Sequence, residues 1–267
     1  MRKLEHISRK WWFFVVLVAS QSLLMPYASK NFQPGAISSI IYTTLQNSLQ
    51  MGFGNYNIYF QALSLLTLVL LVILKNRMKL IFNIYVAVSY ILFAFIQNIA
   101  VTERYGLSIV TVNVIMFLFV AYVWILETFQ SKNDYSFSHF KWKYSWMIPL
   151  ALFAYWCPLS PNGINLNPLH FFHINSATAF CLTTPLFLTI MTLNIPNINV
   201  VTYRITALIG VIIGLYNMVS FLNPSTVFLG VLHIPLLAIS LYCTILSYKI
   251  GRNKNSAGRT LPSADHT

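Results

Sequence analysis

Eight long apolar segments, separated by short polar or basic connections, constrain this chain more than any other feature of its sequence. A helix needs about 20 apolar residues to cross the roughly 30 Å hydrocarbon core of a bilayer, and most of the segments approach that length. We therefore predict an all-α integral membrane protein with eight transmembrane helices. The predicted segments cover about residues 11–28, 57–74, 80–100, 105–126, 144–158, 174–193, 203–222 and 226–248.

The composition excludes an ordinary soluble domain. Hydrophobic residues make up 57% of the 267 residues and charged residues only 8%, whereas soluble domains contain about 25% charged residues. The net charge of +12 would suit nucleic acid, but the basic residues lie at the ends of apolar segments and not on one amphipathic face. The predicted partner is therefore a lipid bilayer, and no nucleic acid.

The basic residues also predict the orientation. If the N-terminus is cytoplasmic, Lys30 and Arg104 fall on the outer side and every other lysine and arginine falls inside, as the positive-inside rule requires. We predict that both termini are cytoplasmic, that residues 1–250 form one domain in the plasma (inner) membrane, and that residues 251–267 are a disordered tail. A cleaved signal peptide is the alternative for the first segment.

Two long polar connections are predicted on the outer face. The first, residues 29–56, has apolar residues at helical spacing among uncharged polar ones, which indicates an amphipathic helix at 36–50, at the interface or re-entrant. The second, Pro158–Pro185, is rich in turns and contains His170 and His173. Any site is expected in the membrane beneath these two connections.

The two halves of the chain share a weak repeat. Each half begins with lysine and aromatic residues, and each first segment reaches a proline, Pro26 or Pro158, before a long outer connection. Four helices followed by four in the same orientation would form a parallel repeat, an arrangement that some transporters use.

Several polar residues recur at a similar predicted depth in the outer half of the membrane. Polar groups are costly in hydrocarbon unless they pair or face a cavity. We predict that they line a pocket for a small neutral or anionic molecule; the alternative is that each one hydrogen-bonds a neighbouring helix. The predicted ligand-binding residues are Gln97, Asn98, Asn113, Asn217 and His233, capped by His170 and His173.

These features favour a permease or small-molecule-binding protein with a role in transport. An intramembrane enzyme that uses a histidine-bound metal or haem is an alternative, and a non-catalytic subunit or assembly factor is another. The sequence assigns no catalytic residue, no set of metal ligands and no cofactor. Gly210 and Gly214 form a GxxxG step that suits a close helix–helix contact, within the chain or with a partner. Whether Cys157 and Cys181 form a disulfide is left open.

Overall fold

The computed structural model describes the backbone of residues 2–160 and 163–259. Within these ranges the helices are α1 (Arg2–Ser8), α2 (Trp11–Leu23), α3 (Ile37–Gln46), α4 (Asn57–Leu74), α5 (Lys79–Ile96), α6 (Thr111–Gln130), α7 (Met147–Trp156), α8 (Phe180–Leu193), α9 (Val200–Asn217) and α10 (Val227–Arg259). The short strands are β1 (Tyr27–Ala28), β2 (Ile99–Thr102), β3 (Gly106–Ile109), β4 (Leu159–Ser160) and β5 (Gly163–Ile164). The chain is therefore all-α apart from two small sheets.

Helix length supports four to five membrane crossings in the described part of the chain, fewer than the eight that the sequence predicts. One bent pair counts as the fifth: the 3-10 turns at Pro168–Thr178 meet α8 at 90°. The α7 helix has only 10 residues and would cover about 15 Å. The four continuous apolar stretches are Leu49–Ile96, Thr111–Gln130, Val200–Leu222 and Val227–Ile250.

The longest stretch, Leu49–Ile96, contains two helices. A 3-10 turn at Lys75–Met78 separates α4 from α5, and Lys75 adopts a φ of 51° there. Each helix has 18 residues, or about 27 Å of rise. Each of the two is therefore nearly long enough to cross the hydrocarbon core.

The centre of the molecule is formed by α8 and α9. Every residue of α8 is buried, as is every residue of α9 from Val200 to Gly214. A Cβ atom on Gly214 would lie 3.1 Å from the Cα of Leu237, and one on Gly210 would meet the side chain of Ser240. The GxxxG step of the sequence therefore lies against α10 of the same chain.

One end of the molecule, which we call the hairpin end, is organised around a β-hairpin. Strand β3 pairs with β2 and with β1, and Gly106 takes the positive φ of 61° that the turn between β2 and β3 requires. Ser48 forms a bridge to Ala100, and Gln50 donates hydrogen bonds to the Asn175 carbonyl and the Thr178 hydroxyl. The two predicted outer connections are therefore in direct contact.

The opposite end, which we call the asparagine end, is joined by amide side chains. Asn76 donates to Asp134 over 2.8 Å, Asn194 accepts from the Phe137 backbone over 2.8 Å, and Asn199 donates to Glu127 over 2.6 Å. These bonds hold the connections after α4, α6 and α8 against one another.

Several sequence predictions need correction at element boundaries. The segments predicted at 80–100 and 105–126 do not stay helical at the hairpin end, because Ile99–Thr102 and Gly106–Ile109, which include several β-branched residues, form the hairpin instead. The predicted amphipathic helix is confirmed as α3, which buries Ile40 and Thr44.

The tail and the cysteines can also be placed. The α10 helix continues to Arg259, into the predicted tail, and residues 260–267 lie outside the described part. Cys157, Cys181 and Cys243 are free thiols.

Candidate functional site

The predicted outer-half pocket is only partly assembled. Asn113 donates a hydrogen bond to the Asn98 side-chain oxygen over 2.9 Å, and Asn98 donates to the Phe93 carbonyl over 2.8 Å. Gln97 points elsewhere, since its side-chain oxygen accepts from the Phe180 backbone N–H over 3.0 Å. Asn98 is fully buried, so this pair bridges α6 to the end of α5.

The other predicted members bond locally. Asn217 donates to the Ile213 carbonyl one turn earlier in α9, over 2.8 Å, and lies 3.8 Å from the Cys181 sulfur. The Nδ1 atom of His233 pairs with the Leu229 carbonyl one turn earlier in α10. These contacts match the packing alternative, and a ligand role for these residues stays a prediction.

Of the two predicted cap histidines, His170 lies in the 3-10 turn Pro168–Phe172 and His173 directly follows that turn. The His173 backbone N–H donates to the His170 carbonyl over 3.0 Å; His170 is half-buried and His173 is exposed. Among the described residues, no three His, Cys, Asp or Glu side chains lie close enough together to hold a metal ion.

A glutamine that the sequence analysis did not single out fixes this turn. Gln61 of α4 is fully buried; it donates to the Phe171 carbonyl and the Ser176 hydroxyl and accepts from the Ala177 backbone N–H. One turn further, Ser64 accepts a hydrogen bond from the Tyr155 hydroxyl of α7. The first half of α4 is therefore fastened to α7 and to the connection that contains His170 and His173.

The polar stripe that makes these contacts is buried, and the apolar residues of α4 point outward. Gln61, Ser64 and Thr67 are buried, whereas Val69 and Val72 are 46% and 61% exposed. A soluble amphipathic helix has the reverse pattern. This arrangement is typical of a helix whose outer face contacts lipid.

Beyond this polar stripe, α4 separates from α7 and α8 and leaves a groove. The groove has a volume of about 620 Å³, which lies within the roughly 300–1,000 Å³ of most ligand pockets. Its lining is apolar along its whole length and comes from α4, α7, α8 and the 3-10 turn, including Leu68, Val69, Val72, Leu152, Phe172 and Leu186. We call this feature the α4 groove.

The two ends of α4 explain why a gap remains between them. Gln61 and Ser64 fix the helix at the hairpin end, and at the asparagine end Asn76, in the turn after α4, accepts from the Tyr135 backbone N–H over 2.6 Å. Between these anchors the facing side chains are apolar and leave the space unfilled. Phe171 lines the groove at its hairpin end and Phe137 at its asparagine end.

A second polar cluster, also missed from the sequence, surrounds Glu127 in the last turn of α6. The carboxylate is fully buried and accepts from the Asn133 backbone N–H and from the Asn199 amide, each over 2.6 Å. Asn133 in turn donates to the Tyr135 hydroxyl, which donates to Asn83 over 2.7 Å. Burial raises the pKa of Tyr135 well above its usual value, so its hydroxyl keeps its proton and its role as donor. We call such a buried cluster, whose hydrogen bonds hold several segments together, a structural joint.

Arg204 forms another buried joint, near the start of α9. Its guanidinium donates to the Ser8 hydroxyl over 3.1 Å and to the hydroxyl and carbonyl of Ser247, and it lies 4.9 Å from the centre of the Tyr248 ring. It therefore ties α1 and α10 to α9.

Fold and site together define an all-α protein whose apolar helices suit an integral membrane protein with a lateral apolar groove. Comparison with protein-family models, curated proteins and solved structures gave no match.

Proposed function

We propose that this chain is a polytopic membrane protein that binds the hydrocarbon chain of a lipid-like molecule in the α4 groove. This narrows the small-molecule-binding function that the sequence predicts. The observation that carries the proposal is the groove itself, which is apolar throughout and lies along helices long enough to cross a membrane. Among the described residues, such a lining has no carboxylate, imidazole, amine or thiol, and the hydroxyl of its one tyrosine, Tyr155, donates to Ser64, so the groove suits binding or transfer of a chain.

The energetics favour a chain over a small polar ligand. Each methylene group that leaves water for an apolar site contributes about 0.8 kcal/mol. A lipid chain already in hydrocarbon gains much less from that transfer, so selectivity depends on how closely the chain packs against the walls. Aromatic rings line both ends of the groove, at Phe171 and Phe137.

Eight crossings with both termini cytoplasmic remain part of the proposal. Two contact patterns support it: the predicted outer connections meet at the hairpin end, and the predicted inner connections meet at the asparagine end. The basic connections after α4 and α6 lie at the asparagine end. By the positive-inside rule, that end would face the cytoplasm if the protein lies in the plasma membrane. The close pairs α5–α6 and α9–α10 suit the proposed 4+4 repeat.

The test compares two valines that are equally exposed. Val69 lines the groove and Val88 lies on α5, away from it; each is 46% exposed. Val69→Trp places an indole in the groove, and Val88→Trp places one on an outer face. The assay is the thermal stabilisation of the detergent-purified protein on addition of dioleoyl phosphatidylcholine.

We expect wild type and Val88→Trp to show the same rise in Tm with added lipid, and Val69→Trp to lose most of it. An equal rise in all three proteins would contradict the proposal, because lipid would then act through the general apolar surface. Unchanged Tm values without lipid serve as the folding control for both variants.

A further inference from the structure

We propose that the α4 groove selects an anionic phospholipid, whose acyl chain lies in the groove and whose phosphate lies at the asparagine end beside Lys75 and Arg77. This inference rests on the proposed function and adds the class and direction of the ligand.

The two ends of the groove differ in charge. At the hairpin end, residues 157–179 contain no Lys, Arg, Asp or Glu, and the nearby lining residues are Trp156, Pro168 and Phe171. At the asparagine end, the last lining residue of α4 is Ile73, and Lys75 follows two positions later. Within the segments that line the groove, a charged head group therefore finds a neighbouring lysine or arginine at the asparagine end and not at the hairpin end.

The 3-10 turn at Lys75–Met78 is held directly beside the mouth of the groove. Its Asn76 side chain accepts from the Tyr135 backbone N–H over 2.6 Å and donates to Asp134 over 2.8 Å. Phe137, which lines the groove, lies in the same short connection. The bonds of Asn76 thus fix the position of both neighbouring basic residues relative to the groove.

The positive charge of this turn is not neutralised within the protein. Lys75 and Arg77 are exposed, and in the part of the chain that the structure describes neither side chain forms an ion pair or hydrogen bond. The nearby carboxylate, Asp134, instead accepts from Asn76, from Asn197 and from the Ser136 backbone. Both cations are therefore free to bind a phosphate, which accepts several hydrogen bonds from such groups.

The experiment is a competition between lipids that differ in the head group. Full-length protein is released from mixed nanodiscs that contain equal amounts of dioleoyl phosphatidylglycerol and dioleoyl phosphatidylcholine, and the retained lipid is counted by native mass spectrometry. The test variant is Lys75→Ala with Arg77→Ala. The matched control is Lys141→Ala with Lys143→Ala, which removes the same charge from exposed positions of another inner connection.

We expect wild type and the control to retain phosphatidylglycerol about tenfold over phosphatidylcholine, since basic groups at the membrane surface attract anionic head groups. The Lys75/Arg77 variant should retain a similar total amount of lipid and lose most of this preference. If wild type shows no preference, or if both double variants lose it equally, this inference is wrong while chain binding stands. If wild type retains no lipid of either kind, the proposed function and the inference both fail.

Discussion

The protein is packed differently on the two sides of α8. On one side, α6 and α9 close around Glu127, and its carboxylate oxygens accept buried hydrogen bonds. On the other side, α4 stands away from α7 and α8 and leaves an apolar groove of about 620 Å³. The polar side is closely packed and hydrogen-bonded around Glu127, whereas the apolar side contains an open groove.

This difference shows where a ligand can bind. A buried carboxylate whose oxygens already accept hydrogen bonds gains little from a ligand and contributes mainly to stability, and among the described residues of this cluster it is the Asn83 side-chain nitrogen that lacks a partner. An open apolar groove gains dispersion contacts when a chain fills it. The predictions below therefore separate changes that unfold the protein from changes that affect only lipid binding.

The largest loss of stability is expected from Glu127→Ala. It leaves the Asn133 N–H and the Asn199 amide buried without an acceptor, and each orphaned donor costs about 1–3 kcal/mol. We expect the free energy of unfolding, measured by titration with a denaturing detergent, to fall by about 3 kcal/mol. Glu103→Ala, on the exposed turn of the hairpin, should change it by less than about 0.5 kcal/mol. Equal effects of the two variants would show that the Glu127 cluster is not a joint.

A smaller loss is expected from Arg204→Ala, although Arg204 is equally buried. Its partners keep other hydrogen bonds, because the Ser8 hydroxyl donates to the Glu5 carbonyl and the Ser247 hydroxyl donates to the Thr244 carbonyl. The variant also removes a buried charge whose hydrogen bonds, among the described residues, go to serines and not to a carboxylate, which offsets part of the cost.

We expect the same detergent titration to show a loss of about 2 kcal/mol for Arg204→Ala and a smaller loss for Arg204→Met, which fills more of the space. Arg104→Ala, at an exposed position, is the control. A loss for Arg204→Ala that exceeds the loss for Glu127→Ala would contradict the comparison between the two joints.

Tyr155→Phe tests the anchor of α4 beside the groove. The change removes the bond from the Tyr155 hydroxyl to Ser64 and keeps the ring in the groove wall, so the expected loss of stability is about 1 kcal/mol. We also expect weaker stabilisation by added lipid, because α4 loses one of its anchors. Tyr122→Phe, at a residue that is 52% exposed, is the control and should change neither value.

The smallest expected effect is a pH dependence from Asp134. Partial burial raises its pKa, but the hydrogen bonds from Ser136, Asn76 and Asn197 outweigh burial and lower the pKa below the ordinary 3.8. The resulting stability is present above pH 3.8 and is lost as the pH falls through the lowered value. At this half-buried site next to solvent the contribution is below about 1 kcal/mol. Comparing the Tm of wild type and Asp134→Asn between pH 6 and pH 3 should show a steeper fall in wild type.

The sequence predicts the class of this fold well, because the length of an apolar segment and the period of α3 are local properties. The β-hairpin was missed although its strands contain the β-branched residues Ile99, Val101, Thr102 and Ile109. Those residues are equally common in membrane helices, so apolar character alone did not separate strand from helix.

The candidate site was harder to predict for two physical reasons. The side chains of Asn217 and His233 each form a hydrogen bond with the backbone carbonyl one helical turn earlier. A polar residue in an apolar helix therefore need not face a cavity. The groove is lined by the same residue types as the outer surface, and only the separation of α4 from α7 and α8 creates it. The Glu127 cluster was missed because its members, among them Asn83, Asn133 and Asn199, lie far apart in sequence and meet only in the fold.

The most direct test of lipid binding is to map where an acyl chain contacts the protein. Full-length protein in bilayer nanodiscs would be irradiated with a phosphatidylglycerol that carries a diazirine on its acyl chain, and the labelled peptides identified by mass spectrometry. We predict labelling of α4 at residues 65–73 several-fold above that of Ile84 and Val88, which are as exposed as Val69 at 46%, and loss of this excess in Val69→Trp. Equal labelling of both helices, or an excess that persists in Val69→Trp, would contradict a chain-binding groove.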